Sequence, residues 1–184
     1  SNKLLYIIQM GDIYNKIILN SKIILGFNKV NSDLYNTLQY KIQEDIEGRC
    51  IIEGFVKRNS TKILSYSSGE LVASNILFEV AYETMVANPV EGNIIECKVH
   101  SITKAGIKAT IEDDNKTSPY LIFIARDHHY SNEDFAVLKE NDLINIKVLG
   151  KRYEIHDKYI SIIAELITQQ NEDSKEKSKK GKKQ

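Results

Sequence analysis

The chain has 184 residues, 25 basic and 25 acidic side chains, a hydrophobic fraction of 42% and two cysteines. That apolar content excludes a disordered protein, and the length suits one ordinary domain or two small ones. A net charge of zero excludes a body that grips nucleic acid by bulk electrostatics, and no run approaches the roughly 20 apolar residues of a membrane span.

Residues 1–10 hold one Lys and a short apolar run without a small-residue cleavage site, so they do not read as a secretory signal. Ile13 to Val30 is rich in Ile and Leu around Asn20-Ser21, which predicts one bent strand or a hairpin. Asn31-Ser32 offers a helix N-cap, and Leu34, Leu38, Ile42 and Ile46 then recur every four residues until Gly48 supplies a stop. This stripe should bury one helix face on a sheet. Three strands are predicted next, over Arg49–Lys57, Ser60–Tyr66 and Ile76–Val86, with Ser67 to Asn75 as a polar loop. Asn88-Pro89 is the natural boundary of this α+β unit.

After it come five short strands: Ile94–Ser101, Ile107–Ile111, Tyr120–Ala125, Leu143–Leu149 and about Lys158–Leu166. The turn Thr103-Lys104-Ala105-Gly106 separates the first two, and a long charged connection separates the third from the fourth. That spacing is the pattern of an oligonucleotide/oligosaccharide-binding (OB) barrel, a fold that commonly holds single-stranded nucleic acid on one face. The segment Glu172 to Gln184 carries six Lys against three acids, so the remainder of the chain is mildly acidic. The stretch after Thr168 is aperiodic and reads as a disordered basic tail. The domain limits are therefore 10–88, 89–168 and 169–184.

The order of elements resembles the stalk subunit of multisubunit DNA-directed RNA polymerases, the family of the seventh subunit of eukaryotic RNA polymerase II and its archaeal counterpart. Glu47-Gly48-Arg49-Cys50 and Gly54-Phe55-Val56 match its first domain, and Phe78-Glu79-Val80-Ala81-Tyr82 resembles the last strand of that domain. Pro89-Val90-Glu91-Gly92 resembles the hinge, and Ile102 to Gly106 the first turn of an S1 barrel. The resemblance implies a truncated ribonucleoprotein-like tip domain followed by an S1/OB barrel. It also implies a non-catalytic role in transcription, with polymerase core subunits and a second stalk subunit as partners and weak contact with single-stranded transcript. The location implied is the nucleus or cytoplasm. The Ile, Lys and Asn bias would suit a large DNA virus encoding its own polymerase, with a place in the virion. Around the first-turn glycine, where S1 barrels carry aromatics, this chain has Ala105 and Lys108, and Phe123 replaces the usual histidine of the RNA face. A free-standing S1 RNA-binding protein and a protein-binding scaffold without RNA contact are the alternatives.

Strand alternation puts Phe123 outward between the inward Ile122 and Ile124, where it could stack a base. Lys98, His100, Lys104 and Lys108 fall on the polar side of the first two barrel strands, and Arg126 follows the third. Together they could line a backbone-tracking groove, with Glu96 on the same row opposing it. By the resemblance, Tyr66, Ser67, Ser68, Gly69, Glu70 and Leu71 point at the polymerase core. Asp127-His128-His129-Tyr130 invites a metal or catalytic reading, but adjacent histidines on extended chain point opposite ways, which predicts a loop capping the barrel. Ser131 lacks a nucleophile elbow, and no phosphate-cradling loop is present. No catalytic residue, metal site or cofactor is expected. Cys50 and Cys97 match no metal-ligand spacing and read as buried, reduced thiols of a cytosolic or nuclear protein.

Overall fold

The computed structural model describes residues 7–8, 13–30, 32–111, 117–129, 135 and 137–167, with residues 7, 8 and 128 as backbone alone. The predicted tail therefore lies outside the described residues, as do Asn31, Tyr130 and Ser131. In chain order the elements up to Asn88 are β1 (Ile7–Ile8), β2 (Tyr14–Gly26), α1 (Leu34–Ile46), β3 (Cys50–Ile51), β4 (Gly54–Val56), β5 (Lys62–Tyr66), β6 (Glu70–Val72) and β7 (Asn75–Ala87). After Pro89 come β8 (Ile94–Ile102), β9 (Gly106–Thr110), β10 (Tyr120–Ala125), β11 (Leu143–Arg152) and β12 (Ile160–Leu166). The chain is thus mostly β, and α1 is the α-helix whose limits lie among the described residues. Its contacts divide it at Asn88/Pro89 into two units; the first also takes in Tyr153–Ile160, and β1 belongs to the second. No helix among the described residues is long and apolar enough to cross a membrane.

In the first unit β2 and β7 pair antiparallel along their whole length, from Tyr14↔Ala87 to Gly26↔Asn75, without a register shift. Of the two readings of Ile13 to Val30, the single strand is the one found. Asn20-Ser21 does not break it because Asn20 faces outward, while the Ser21 hydroxyl meets the Tyr82 hydroxyl at 3.2 Å. The other edge of β7 is shared by β4, β5 and β6. One face of this sheet is covered by α1, whose Leu38 and Ile42 are buried against Ile23, Leu25, Phe78 and Val80. A helix of 13 residues is marginal alone, so this burial, about 2 kcal/mol for each large aliphatic side chain, stabilises it.

Three local expectations are corrected. Arg49–Lys57 is not one strand: β3 and β4 form a hairpin, Ile51↔Gly54, around Ile52-Glu53. The cause is Gly54, whose φ of +135° favours glycine and at which a Cβ would run into the Ala87 carbonyl oxygen. The predicted loop from Ser67 to Asn75 contains β6, which turns through Ala73-Ser74 to pair Val72 with Asn75. The helix is capped at Asp33, not at Asn31-Ser32, and without a side-chain cap hydrogen bond; the Asp33 carbonyl oxygen accepts from the Thr37 N–H at 3.2 Å.

Helix side chains also finish the edge formed by β5 and the residues before it. The Gln39 amide acts as a strand would, donating to the Thr61 carbonyl oxygen at 2.7 Å and accepting from the Ile63 N–H at 2.9 Å. Glu47, just past α1, accepts from three consecutive backbone N–H groups, those of Asn59, Ser60 and Thr61, at 2.8, 3.1 and 2.9 Å. Within the same unit the Cys50 N–H donates to the Asp157 carbonyl oxygen at 2.7 Å and the Cys50 carbonyl oxygen accepts from the His156 N–H at 2.8 Å, while the Tyr153 hydroxyl donates to the Ile52 carbonyl oxygen at 2.9 Å.

The second unit is a closed barrel. Its five strands run β8-β11-β12-β10-β9 and return through the β9–β8 pairing, so no barrel strand is left as an edge. Ile95, Val99, Ile107, Ile122, Ile124 and Ile146 point into it, each followed by an outward residue. β9 reaches β8 only over Lys98–Ile102, and the unpredicted β1 pairs in parallel with Ile94 and Ile95 beyond that point.

Removing the Glu47 carboxylate strands three amides. Glu47→Ala should lower the unfolding free energy in urea by about 2–3 kcal/mol, and Glu47→Gln, which keeps the oxygen that serves Ser60 and Thr61, by about half as much. A loss below about 0.5 kcal/mol for Glu47→Ala would show that these contacts contribute nothing net.

Candidate functional site

The outward face of β8, β9 and β10 is built by register. Lys98 stands opposite Thr110, which stands opposite Leu121. One step along, Ser101 stands opposite Lys108, which stands opposite Phe123. Lys98, Lys108 and Phe123 thus share one surface on three adjoining strands. His100 is exposed at the point where the β8–β9 register shifts between Val99 and Ser101, an irregularity that re-aims the strand. Phe123 is half-buried because its ring lies beside Gly106. A Cβ at Gly106 would meet the Ile124 carbonyl oxygen, so glycine is required for β9 to lie this close to β10.

Lys104 is exposed on the turn between β8 and β9, which is closed by the Thr103 N–H and hydroxyl, both donating to the Gly106 carbonyl oxygen at 2.9 and 3.0 Å. Arg126 sits at the same end but is engaged in the protein. Its N–H donates to the Ala105 carbonyl oxygen at 3.0 Å, its Nη2 to the Thr103 carbonyl oxygen at 3.2 Å, and its guanidinium lies 5.6 Å from the Phe135 ring centre. It braces the turn that carries Lys104. Toward β11 the face changes character: Leu143, 69% exposed, is opposite Lys98, and Glu96 is opposite Asn145. The face is therefore basic and aromatic at the turn end and mixed beyond it. Alternation already puts Leu121 on this face beside Phe123, but sequence reasoning missed Ser101 and Thr110. Alternation signals Thr110, whereas Ser101 is brought out by the register shift.

His129 lies outside that face. It is buried, and both ring nitrogens are used: Nε2 accepts from the Leu166 N–H at 3.0 Å, which leaves Nδ1 as the donor to the Ala125 carbonyl oxygen at 2.8 Å. Its ring stacks on Phe135 with centroids 5.1 Å apart. This histidine joins the ends of β10 and β12 and has no lone pair left for a metal. Among the described residues no group of three or more His, Cys, Asp or Glu side chains is placed to hold one.

The candidate docking residues lie on β5, on β6 and in the segment between them. Tyr66 ends β5 opposite Val80. Ser67 exchanges bonds with Glu79: its N–H donates to the Glu79 carbonyl oxygen and its hydroxyl accepts from the Glu79 N–H. Ser68 is exposed, and Gly69 passes beside Ile76 and Phe78 with no room for a side chain. Glu70 and Leu71 belong to β6, opposite Leu77 and Ile76, and Leu71 is 65% exposed. Both cysteines are buried and unpaired; burial pushes the Cys50 thiol up to about 11, with Asp157 adding to the shift, and the Cys97 thiol up to about 12, with Glu96 adding to it. No family model matches the sequence.

Two outcomes follow from this geometry. His129→Ala leaves a buried donor and acceptor without partners and should cost about 2–3 kcal/mol by urea unfolding; a change within about 0.5 kcal/mol would mean the barrel closes without it. The thiols give a pH effect. An unfolded thiol ionises near about pH 8.5, while the folded ones hold their protons to about 11 and 12. Their contribution is intact below about pH 8.5 and is lost as pH rises from there, because only the unfolded chain releases the protons. Native protein at pH 8 should therefore resist a thiol-reactive chromogen that labels both cysteines in urea; rapid native labelling would contradict the burial.

Proposed function

We propose that this chain is a non-catalytic stalk subunit of a multisubunit DNA-directed RNA polymerase. In this reading the first unit is a truncated ribonucleoprotein-like tip domain that docks on core subunits through Tyr66 to Leu71. The closed barrel is an S1/OB barrel that touches single-stranded transcript, and a second stalk subunit is a further partner. The observation that carries the reading is the face on β8, β9 and β10, where Lys98, Lys108 and Phe123 stand on adjoining strands of a closed five-stranded barrel. Two lysines and one ring can follow a phosphate backbone and stack a base, and nothing in that set reads a base edge or a duplex groove. A barrel that binds protein is the second reading, favoured by the exposed Leu143 opposite Lys98.

Fluorescence anisotropy with the full chain and a single-stranded RNA should give a Kd on the order of micromolar or weaker at physiological salt. Phe123→Ala should weaken it about tenfold by loss of stacking, and Lys108→Ala should lower the salt slope by about one. Duplex RNA should bind no better. Duplex-selective binding, or indifference to both substitutions, would favour the protein-binding reading. Tagged chain from its native source should bring down the large polymerase subunits, and Leu71→Glu should release them; retention by that variant would remove the docking assignment.

A further inference from the structure

We infer that the free edge of β2 is a docking site for an extended acidic segment of a partner protein, which would join the sheet as an additional strand. The two sides of the sheet are treated differently. On the side of β5, Gln39 supplies a donor and an acceptor to Ile63 and Thr61, and Glu47 takes up the amides of Asn59 to Thr61. On the other side, β2 pairs with β7 alone among the described residues. Its outer edge is thus 13 residues long, regular, and free of proline and bulges. Exposed edges of this kind are ordinarily shortened, twisted away or covered, because their unpaired N–H and C=O groups template another strand.

The side chains on that edge select the occupant. Lys16, Ile18, Asn20, Lys22 and Ile24 are exposed on one face, with the two lysines six residues apart. Lys16 already meets Glu83 and Lys22 meets Glu79, each at 3.5 Å, on the β7 side, yet their side chains remain 63% and 69% exposed. A strand laid on the open flank with carboxylates at matching positions would complete two acid–base–acid columns across the sheet. A second copy of this chain does not fit. In the antiparallel register of full overlap, Lys16 of one copy falls diagonally opposite Lys22 of the other; of the two same-face registers next to it, one sets Lys16 directly opposite Lys22 and the other sets the two copies of Lys22 diagonal to each other, and like charges so placed repel. The chain's own Lys-rich segment 172–184 carries the same sign as the edge.

The inference does not depend on the RNA-face reading, and its test can fail separately. The probe is a fluorescein-labelled 13-residue peptide, matched to β2, of alternating Thr and Val with Glu at two same-face positions six apart. Controls are the same peptide with Lys in place of Glu, and one N-methylated along one edge. Full-length protein should bind the Glu peptide saturably and the N-methylated peptide not at all. A Lys16→Glu/Lys22→Glu double variant with unchanged thermal unfolding should bind the Glu peptide at least about tenfold more weakly and prefer the Lys peptide. Phe123→Ala should leave peptide binding unchanged. Binding indifferent to peptide charge, to the double variant or to N-methylation would overturn the inference. So would a wild-type dimer that the peptide dissociates, which would assign the edge to a second copy.

Discussion

A strand paired along both edges has no freedom of register, and β7 is such a strand. β2 holds one edge for 13 residues while β4, β5 and β6 take successive lengths of the other. Because side chains alternate with a period of two, a slip of one residue would bring Phe78, Val80 and Tyr82 out of the core and Glu79 and Glu83 into it. The helix follows from this, since Leu38 and Ile42 have a buried surface only while that face of the sheet stays apolar. Two polar side chains follow in turn: Gln39 on the helix and Glu47 just past it reach backbone groups of β5 and of the residues leading into it, which β7 has already placed.

The barrel meets the same demand by closing on itself. Its outward face inherits its order from the register, which is why residues distant in sequence, Lys98 and Phe123, lie one strand apart on either side of β9. The turn end is the most defined part of that face. Gly106 lets β9 approach β10, and Arg126 ties Thr103 and Ala105 from across the turn. A charge held in this way shapes the site without being its most accessible part.

Much of this was legible in the residues. Alternation placed Ile122 and Ile124 inside and Phe123 outside, and the four-residue recurrence of Leu34, Leu38, Ile42 and Ile46 marked the helix. What was not legible depends on contacts distant in sequence. The break at Ile52-Glu53 arises because Gly54 runs against Ala87, and no local signal announces that neighbour. β6, only three residues long, is flanked by the turn-prone Ser67-Ser68-Gly69 and Ala73-Ser74, and it is a strand because β7 offers it an edge. The register shifts near His100 and Leu149 leave no mark in composition, so Ser101 could not be assigned to the candidate face. Arg126 looked like a free functional group for the same reason: its partners, Thr103 and Ala105, lie in the turn between β8 and β9, and the backbone N–H that His129 accepts from belongs to Leu166 on β12.

The placement of Tyr153–Ile160 has a consequence for biosynthesis. The segment lies between the last two strands of the barrel in sequence, yet it belongs to the first unit, where the Tyr153 hydroxyl binds a carbonyl 101 residues earlier in the chain. As the polypeptide leaves the ribosome amino terminus first, β2 to β7 can collapse around Leu38 and Phe78, but Cys50 must wait for Asp157 and His156 before its backbone is satisfied. Vectorial folding, in which an early domain is finished before a later one begins, is therefore closed to this chain. The first unit is completed only when nearly all of the barrel has been translated.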